Sequence, residues 1–372
     1  MRLNQRQIHE SSSKKSYWYR LGQIFLGLLV LLLVMVIGFA VGNQFGSDFS
    51  DLSKTDQKVV QEVEDYYKAY KNKEVWSGYT LKHKSFLLVD GRGKAYLFNP
   101  QKSIHSFFAK KIRLPKGSPV SVYRLSAWSP SLLKVYGIGN FNTLGQTVRV
   151  AGSSVFYLRY NAKDNVNTMD QDAHHVITFL SHEDFHGQQI SWGQEDKGGR
   201  FDTGSLTAAD KQTLAERYAA LQALQTASFA KEPNLDDIRE RAKAYVAISN
   251  KLKAENPAYF KDETLAETYE GTATYVSAKA ADAAGYPFTV TGQVGKEGPI
   301  PNPNFTTIMP AIEQGTASIS VIPQKCIYAS GGLLCRVLDQ LTGNTNWQDK
   351  LNHQDKDHPV TLFDLLEEAV ND

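Results

Sequence analysis

The apolar positions divide the chain into stretches that follow different rules. Leu21 to Val41 is a run of 21 residues in which Gln23 is the only strongly polar side chain. As a helix this run spans roughly 30 Å, the thickness of a bilayer core. Residues 52–73 behave otherwise: Val59, Val63, Tyr66, Tyr67 and Tyr70 recur at helical spacing among charges, which predicts an amphipathic helix after a short linker at 43–51. From Ser77 to about Asn161 the pattern alternates. Ser85 to Val89 and Ala95 to Phe98 flank the turn signal Asp90-Gly91-Arg92-Gly93 and predict a hairpin. Val120 to Leu125, Thr147 to Val150 and Val155 to Tyr160 read as further strands. After Asp170 the period becomes helical again, with helices expected near 172–191, 207–229, 234–255, 261–284, 325–342 and 361–370. Residues 285–323 interrupt them with Pro287, Pro299, Pro301, Pro303, Pro310 and Pro323, the mark of a long loop of the kind that serves as a lid or binding segment. A strand-rich part at 77–161 followed by a helical part at 170–372 predicts the α+β class for residues 77–372, with 43–76 as linker and helix.

Charge sharpens the first stretch. Residues 1–20 carry Arg2, Arg6, Lys14, Lys15 and Arg20 against Glu10 alone, and residues 21–42 carry none. This makes 1–20 a basic cytoplasmic tail and 21–42 a single transmembrane helix, with Tyr17, Trp18 and Tyr19 at the interface and residues 43–372 outside the cell. Gly38-Phe39-Ala40 offers a small-x-small cleavage site, but the apolar run is longer than that of a signal peptide. The remainder holds 36 basic and 38 acidic residues, with no clustered basic face for nucleic acid. The only cysteines, Cys326 and Cys335, fall in one expected helix. Nine helical residues separate their Cα atoms by roughly 13 Å, too far for a disulfide, so both are expected free and buried unless Gly331-Gly332 breaks the helix.

The candidate chemistry lies in the first helix of the second part. His182-Glu183-Asp184-Phe185-His186 has the form H-E-x-x-H. Residues i and i+4 share a helix face, so both imidazoles can bind one Zn2+, and the adjacent Glu183 can take a proton from water activated there. Val176, Ile177, Phe179, Leu180 and Phe185 supply the apolar helical context. A catalytic zinc site needs a third protein ligand. Position 192 is Trp192, so no third histidine follows at metzincin spacing, and a glutamate from a later helix is the remaining option.

Leu265 to Val276 contains Glu270-Gly271-Thr272-Ala273-Thr274-Tyr275. This resembles the Glu-Gly-x-Ala-x-Tyr element of gluzincin peptidases, the MA-like zinc metallopeptidases that include the alanyl aminopeptidases. The resemblance implies a zincin-like fold, a bacterial enzyme, here one anchored by the 21–42 helix, and Glu270 as the third ligand. The small residues Gly271 and Ala273 agree, since they let two helices approach closely. Glu267 and Glu263 lie near the same face; Glu267 is an alternative ligand or a partner to the site, and the plainer reading of both is a solvated acidic stripe. The apolar helix led by Tyr328 resembles one that follows the Glu-Gly element in gluzincin-like families. By that resemblance Tyr328 stabilises the oxyanion; otherwise it is a core tyrosine, and Tyr275 is a weaker candidate for the same role. Gln189 and His175 lie on or near the metal face and are candidates to orient the ligands, with ordinary packing as the alternative.

The spacing departs from the aminopeptidases. Glu270 follows His186 by 84 positions, and the Gly-x-Met-Glu-Asn element that reads a free amino terminus is missing. Aminopeptidase specificity is therefore not implied. The strand Val155 to Tyr160 is the candidate edge to pair with an extended peptide or protein substrate. The expectation is a membrane-anchored, extracytoplasmic zinc peptidase. The rival is a non-catalytic cell-surface binding module that retains a zincin fold; the intact Glu183 favours the enzyme.

Overall fold

The computed structural model describes residues 3–70, 74–81, 84–90, 94–137, 139, 146–160, 175–192, 201–292 and 300–371, with side chains from Tyr17 onward. The apolar run lies in helix α1, Leu3–Gly42. Its segment Tyr17–Gly42, 26 residues, is long and apolar enough to cross a membrane. Tail and span, expected as separate segments, are one helix. No proline occurs and no glycine precedes Gly22, so the polar helix formers continue the same backbone. Residues 43–51, the expected short linker, are bonded to the sheet: Asn43 Nδ2 donates to the carbonyls of Phe108 and Arg124, and a 3₁₀ turn follows at Phe49–Asp51.

Helix α2, Lys54–Ala69, leads into six strands: β1 (Phe86–Asp90), β2 (Ala95–Phe98), β3 (Ala109–Lys111), β4 (Val122–Leu125), β5 (Val148–Val150) and β6 (Ser153–Tyr160). Their order is β3-β4-β2-β1-β6-β5. The expected hairpin is β1–β2, with Phe86 opposite Phe98 and Val89 opposite Ala95; its turn residues 91–93 lie outside the described residues. β6 runs parallel to β1, and the other pairs are antiparallel. Alternation then covers both faces of the sheet. Phe86 and Leu88 join the main core with Val176, Ile177 and Leu180, while Leu87 and Val89 join a smaller core with Leu132 and Val135.

The expected edge position of β6 does not hold. β5 pairs outside it, Val148 opposite Val155 and Val150 opposite Ser153. The cause is local: Ala151 and Gly152 both have positive φ, +46° and +85°, the backbone of a two-residue hairpin turn.

The second part comprises α3 (Val176–Gln189), α4 (Ala208–Ser228), α5 (Leu235–Glu255), α6 (Pro257–Ala283), α7 (Ile327–Thr342) and α8 (Leu362–Asn371). Residues 172–174, expected at the start of α3, lie outside the described residues. Three of these helices start on side chains just ahead of them. Thr207 caps α4 in a reciprocal pair with Asp210, Asn234 caps α5, and Asn256 caps α6 ahead of Pro257. Gly343, at φ +67°, ends α7. α6 and α7 cross backbone to backbone at Gly271 and Gly331, where a Cβ on either would overlap the other helix. The close approach at Gly271 therefore serves α7.

The expected 285–323 loop carries structure of its own. It holds β7 (Thr291–Gly292) paired with β8 (Ile300–Pro301), a short helix at Ile308–Glu313, and a π-helical turn at Ile322–Cys326 that leads into α7. Cys326 and Cys335 are free and buried, and Gly331-Gly332 does not break the helix.

Candidate metal centre

α3 is held from outside by polar side chains the local sequence does not announce. Its first turn lacks a side-chain cap of its own, and Glu62 of α2 accepts from the Ile177 N–H at 3.3 Å, satisfying a donor that the helix start leaves open. Asp184, in the middle of the pentapeptide, accepts from the Tyr79 hydroxyl at 2.9 Å and from Lys84 Nζ at 2.6 Å. Phe185 packs edge-on against Trp76 and Tyr79. Asp184 and Phe185 thus tie down the side of α3 away from the two histidines.

The metal face meets α6. His182 Nε2 lies 3.4 Å from Glu270 Oε2, and His186 Nε2 lies 3.6 Å from the same oxygen. One ligand atom from each residue falls within 4.8 Å of the others. Two atoms bound tetrahedrally to one zinc at about 2.0–2.1 Å stand about 3.4 Å apart, so the two histidine–glutamate spacings and the N, N, O donor set suit a metal ion of that kind. The imidazoles stand nearly perpendicular, 5.0 Å between centroids. Burial lowers the His182 pKa, opposed by the Glu183 charge and a backbone hydrogen bond at Ala273. A neutral imidazole is the form that ligates. The small Ala273 therefore does lie where α3 and α6 approach.

Gln189 completes the arrangement at His186. Its Oε1 lies 2.6 Å from His186 Nδ1, while its Nε2 donates to the Tyr269 carbonyl at 2.6 Å and to Thr272 Oγ1 at 2.7 Å. The Tyr269 carbonyl can only accept, so the amide presents its oxygen to the imidazole. Nδ1 then carries the proton, and the Nε2 lone pair is left toward Glu270.

Two tyrosine rings flank the two imidazoles. Tyr269 stacks on His186 at 4.6 Å, and Tyr328 lies nearly parallel to His182 at 5.8 Å. Tyr328 and Glu183 both line a cleft of about 260 Å³ over His182, with Phe179 and the β7 residues Thr291 and Gly292. The strand at this cleft is β7, from the proline-rich loop; no β6 residue lines it among the described residues.

The other sequence candidates lie elsewhere. His175 is fully buried at the N-terminus of α3, 3.6 Å from Glu62 and stacked on Tyr286. Glu267 accepts from Ser330 and faces Arg217 at 3.8 Å; Glu263 pairs with the same guanidinium. Both carboxylates are buried, not a solvated stripe. Burial pushes the Glu267 pKa up to about 7. Tyr275 donates to Asp339 at 2.5 Å and does not line the cleft. Sequence reasoning missed Tyr269, whose signal was adjacency to Glu270. It also missed Arg217 and Glu62, which carry no local signal.

In comparisons with known proteins, the chain matches no family model, no curated protein and no solved structure.

Proposed function

We propose that the chain is a zinc-dependent peptidase of the gluzincin kind, anchored by α1 with its N-terminus in the cytoplasm and its α+β domain outside. The observation that carries the reading is the convergence of His182, His186 and Glu270 beside a cleft lined by Glu183. A pair of imidazoles held by packing alone has no need of a neighbouring carboxylate open to a cleft.

His182, His186 and Glu270 would hold one Zn2+. The ion would supply Lewis acidity, activating water and polarising a peptide carbonyl. The chain's own residues do the rest. Gln189 fixes the His186 tautomer. Glu183 takes a proton from the attacking water as its oxygen adds to the carbonyl carbon, and returns it to the amine nitrogen as the C–N bond breaks. Tyr328, on the cleft wall beside His182, donates a hydrogen bond to the carbonyl oxygen as negative charge develops there. β7 and Phe179 form the adjoining wall where an extended peptide lies.

The test is Glu183→Gln beside the wild type, assayed on a peptide library. The reading expects hydrolysis to fall roughly 10²- to 10⁴-fold while bound zinc is unchanged. Zinc held equally by both proteins, with no Glu183-dependent cleavage of any peptide, favours the binding-module rival.

A further inference from the structure

The outer end of α1 does not hand over to a flexible tether. Arg124 of β4 donates to Asn43 Oδ1 at 3.0 Å, to the Asn43 carbonyl at 2.9 Å and to the Phe45 carbonyl at 2.6 Å. Gln44 Nε2 donates to the Phe107 carbonyl at 2.7 Å. With the Asn43 bonds to Phe108 and Arg124, the chain leaving the helix is clamped to the β3–β4 end of the sheet. Ala40, inside the apolar segment, is fully buried against the domain.

This clamp sets a depth. Trp128 stacks on Phe39 of α1 at 6.0 Å. Phe39 lies 20 residues beyond Tyr19, which ends the exposed aromatic collar at the other end of the apolar segment. Twenty helical residues rise about 30 Å, one hydrocarbon core. If Tyr17, Trp18 and Tyr19 mark one interface, Phe39 marks the other, and Trp128 stands with it, at the level that tryptophan favours. Phe45 lines one hollow with Phe39 and with Ala127, the neighbour of Trp128, Gln44 ties Phe107 to the same helix end, and Leu133 follows Trp128 by five positions; Phe45 (71%), Phe107 (52%) and Leu133 (67%) are all exposed. Large exposed apolar side chains on the segments that meet one helix end are the mark of a contact surface.

The geometry points to a membrane-docked domain: the surface formed by Phe45, Phe107, Trp128 and Leu133 rests in the outer headgroup layer of the same bilayer that α1 crosses. The occupant is lipid because the patch is continuous with the helix end and held at its depth by the Arg124–Asn43 clamp. The domain is then fixed in height and tilt over the membrane. The inference rests on α1 spanning the bilayer and is independent of the zinc site.

The experiment places nitroxide labels on the full chain in zwitterionic nanodiscs, at Phe107→Cys, Leu133→Cys, Leu29→Cys in mid-span and Leu235→Cys on the helical part. Cys326 and Cys335 are buried, so the wild type should stay unlabelled. Accessibility to oxygen is compared with that to a water-soluble nickel chelate. Labels at 107 and 133 should show an oxygen-to-chelate ratio several-fold above that at 235, and 29 the highest of all. If 29 reports lipid while 107 and 133 match 235, docking is overturned and the span stands. If 29 itself reports water, the span falls and docking with it. Labels at 107 and 133 shielded from both reagents would report a protein neighbour and also overturn the proposal.

Discussion

His186 and Gln189 sit one turn apart on α3, and the Gln189 amide oxygen lies 2.6 Å from the imidazole Nδ1. The same amide is locked from the other side by the Tyr269 carbonyl and the Thr272 hydroxyl. One side chain thus links the helix bearing two candidate ligands to the helix bearing the third.

Replacing Gln189 tests that link. Gln189→Leu removes the acceptor at His186 and the two bonds donated to the Tyr269 carbonyl and the Thr272 hydroxyl. Partners of this kind typically contribute 10- to 100-fold in metal affinity. The expected outcome is a loss of that size in competition against a chromophoric chelator. Unchanged affinity would mean that Gln189 only packs.

The α6–α7 crossing makes a second prediction. A Cβ on Gly271 meets the Gly331 backbone, and backbone cannot swing aside as a side-chain tip can. Gly271→Ala should cost at least the ~1–3 kcal/mol of ordinary overpacking, measured by urea denaturation. Because Glu270 and Tyr328 ride on the two separated helices, residual hydrolysis should fall as well. Ser277→Ala, on the cleft side of α6, should leave stability within about 1 kcal/mol.

The site was legible where it is local and obscure where it is not. His182, Glu183 and His186 share one helix face, and Gln189 follows at the next turn, so spacing alone gathers them. Glu270 needed a second helix, which small residues beside it suggested, though the tightest approach at Gly271 turns out to face α7. Glu267 shows the limit. Three residues from Glu270, it looked like part of the site or of a wet stripe, because nothing near it in sequence reveals that Arg217, 50 positions earlier, is buried beside it. The fold follows the same rule. The β1–β2 hairpin was plain from its turn, while the cover of β6 by β5 depended on Ala151-Gly152 bending in the left-handed region. Pro and Gly marked 285–323 as a loop, but not that Thr291 and Gly292 would line the cleft.

The same buried carboxyl makes a prediction about pH. Burial pushes the Glu267 pKa from near 4.5 up to about 7, despite Arg217. Between those values the folded chain retains a proton that the unfolded chain has released. Stability therefore falls as pH rises through this window, by about 3 kcal/mol from this group, and levels off above it. Glu267→Gln has no such titration. Urea midpoints at pH 5 and pH 8 should show a smaller drop for the variant than for the wild type; equal drops would place the Glu267 pKa near its ordinary value.

The most direct test of the central claim is metal content. The full chain, purified in nanodiscs, is analysed for zinc beside His182→Ala and Glu270→Ala. The account predicts one zinc per wild-type chain, and a strong loss in both variants with the fold retained by circular dichroism. Absence of bound zinc after reconstitution of the wild type, or zinc that stays stoichiometric in both variants, would contradict it.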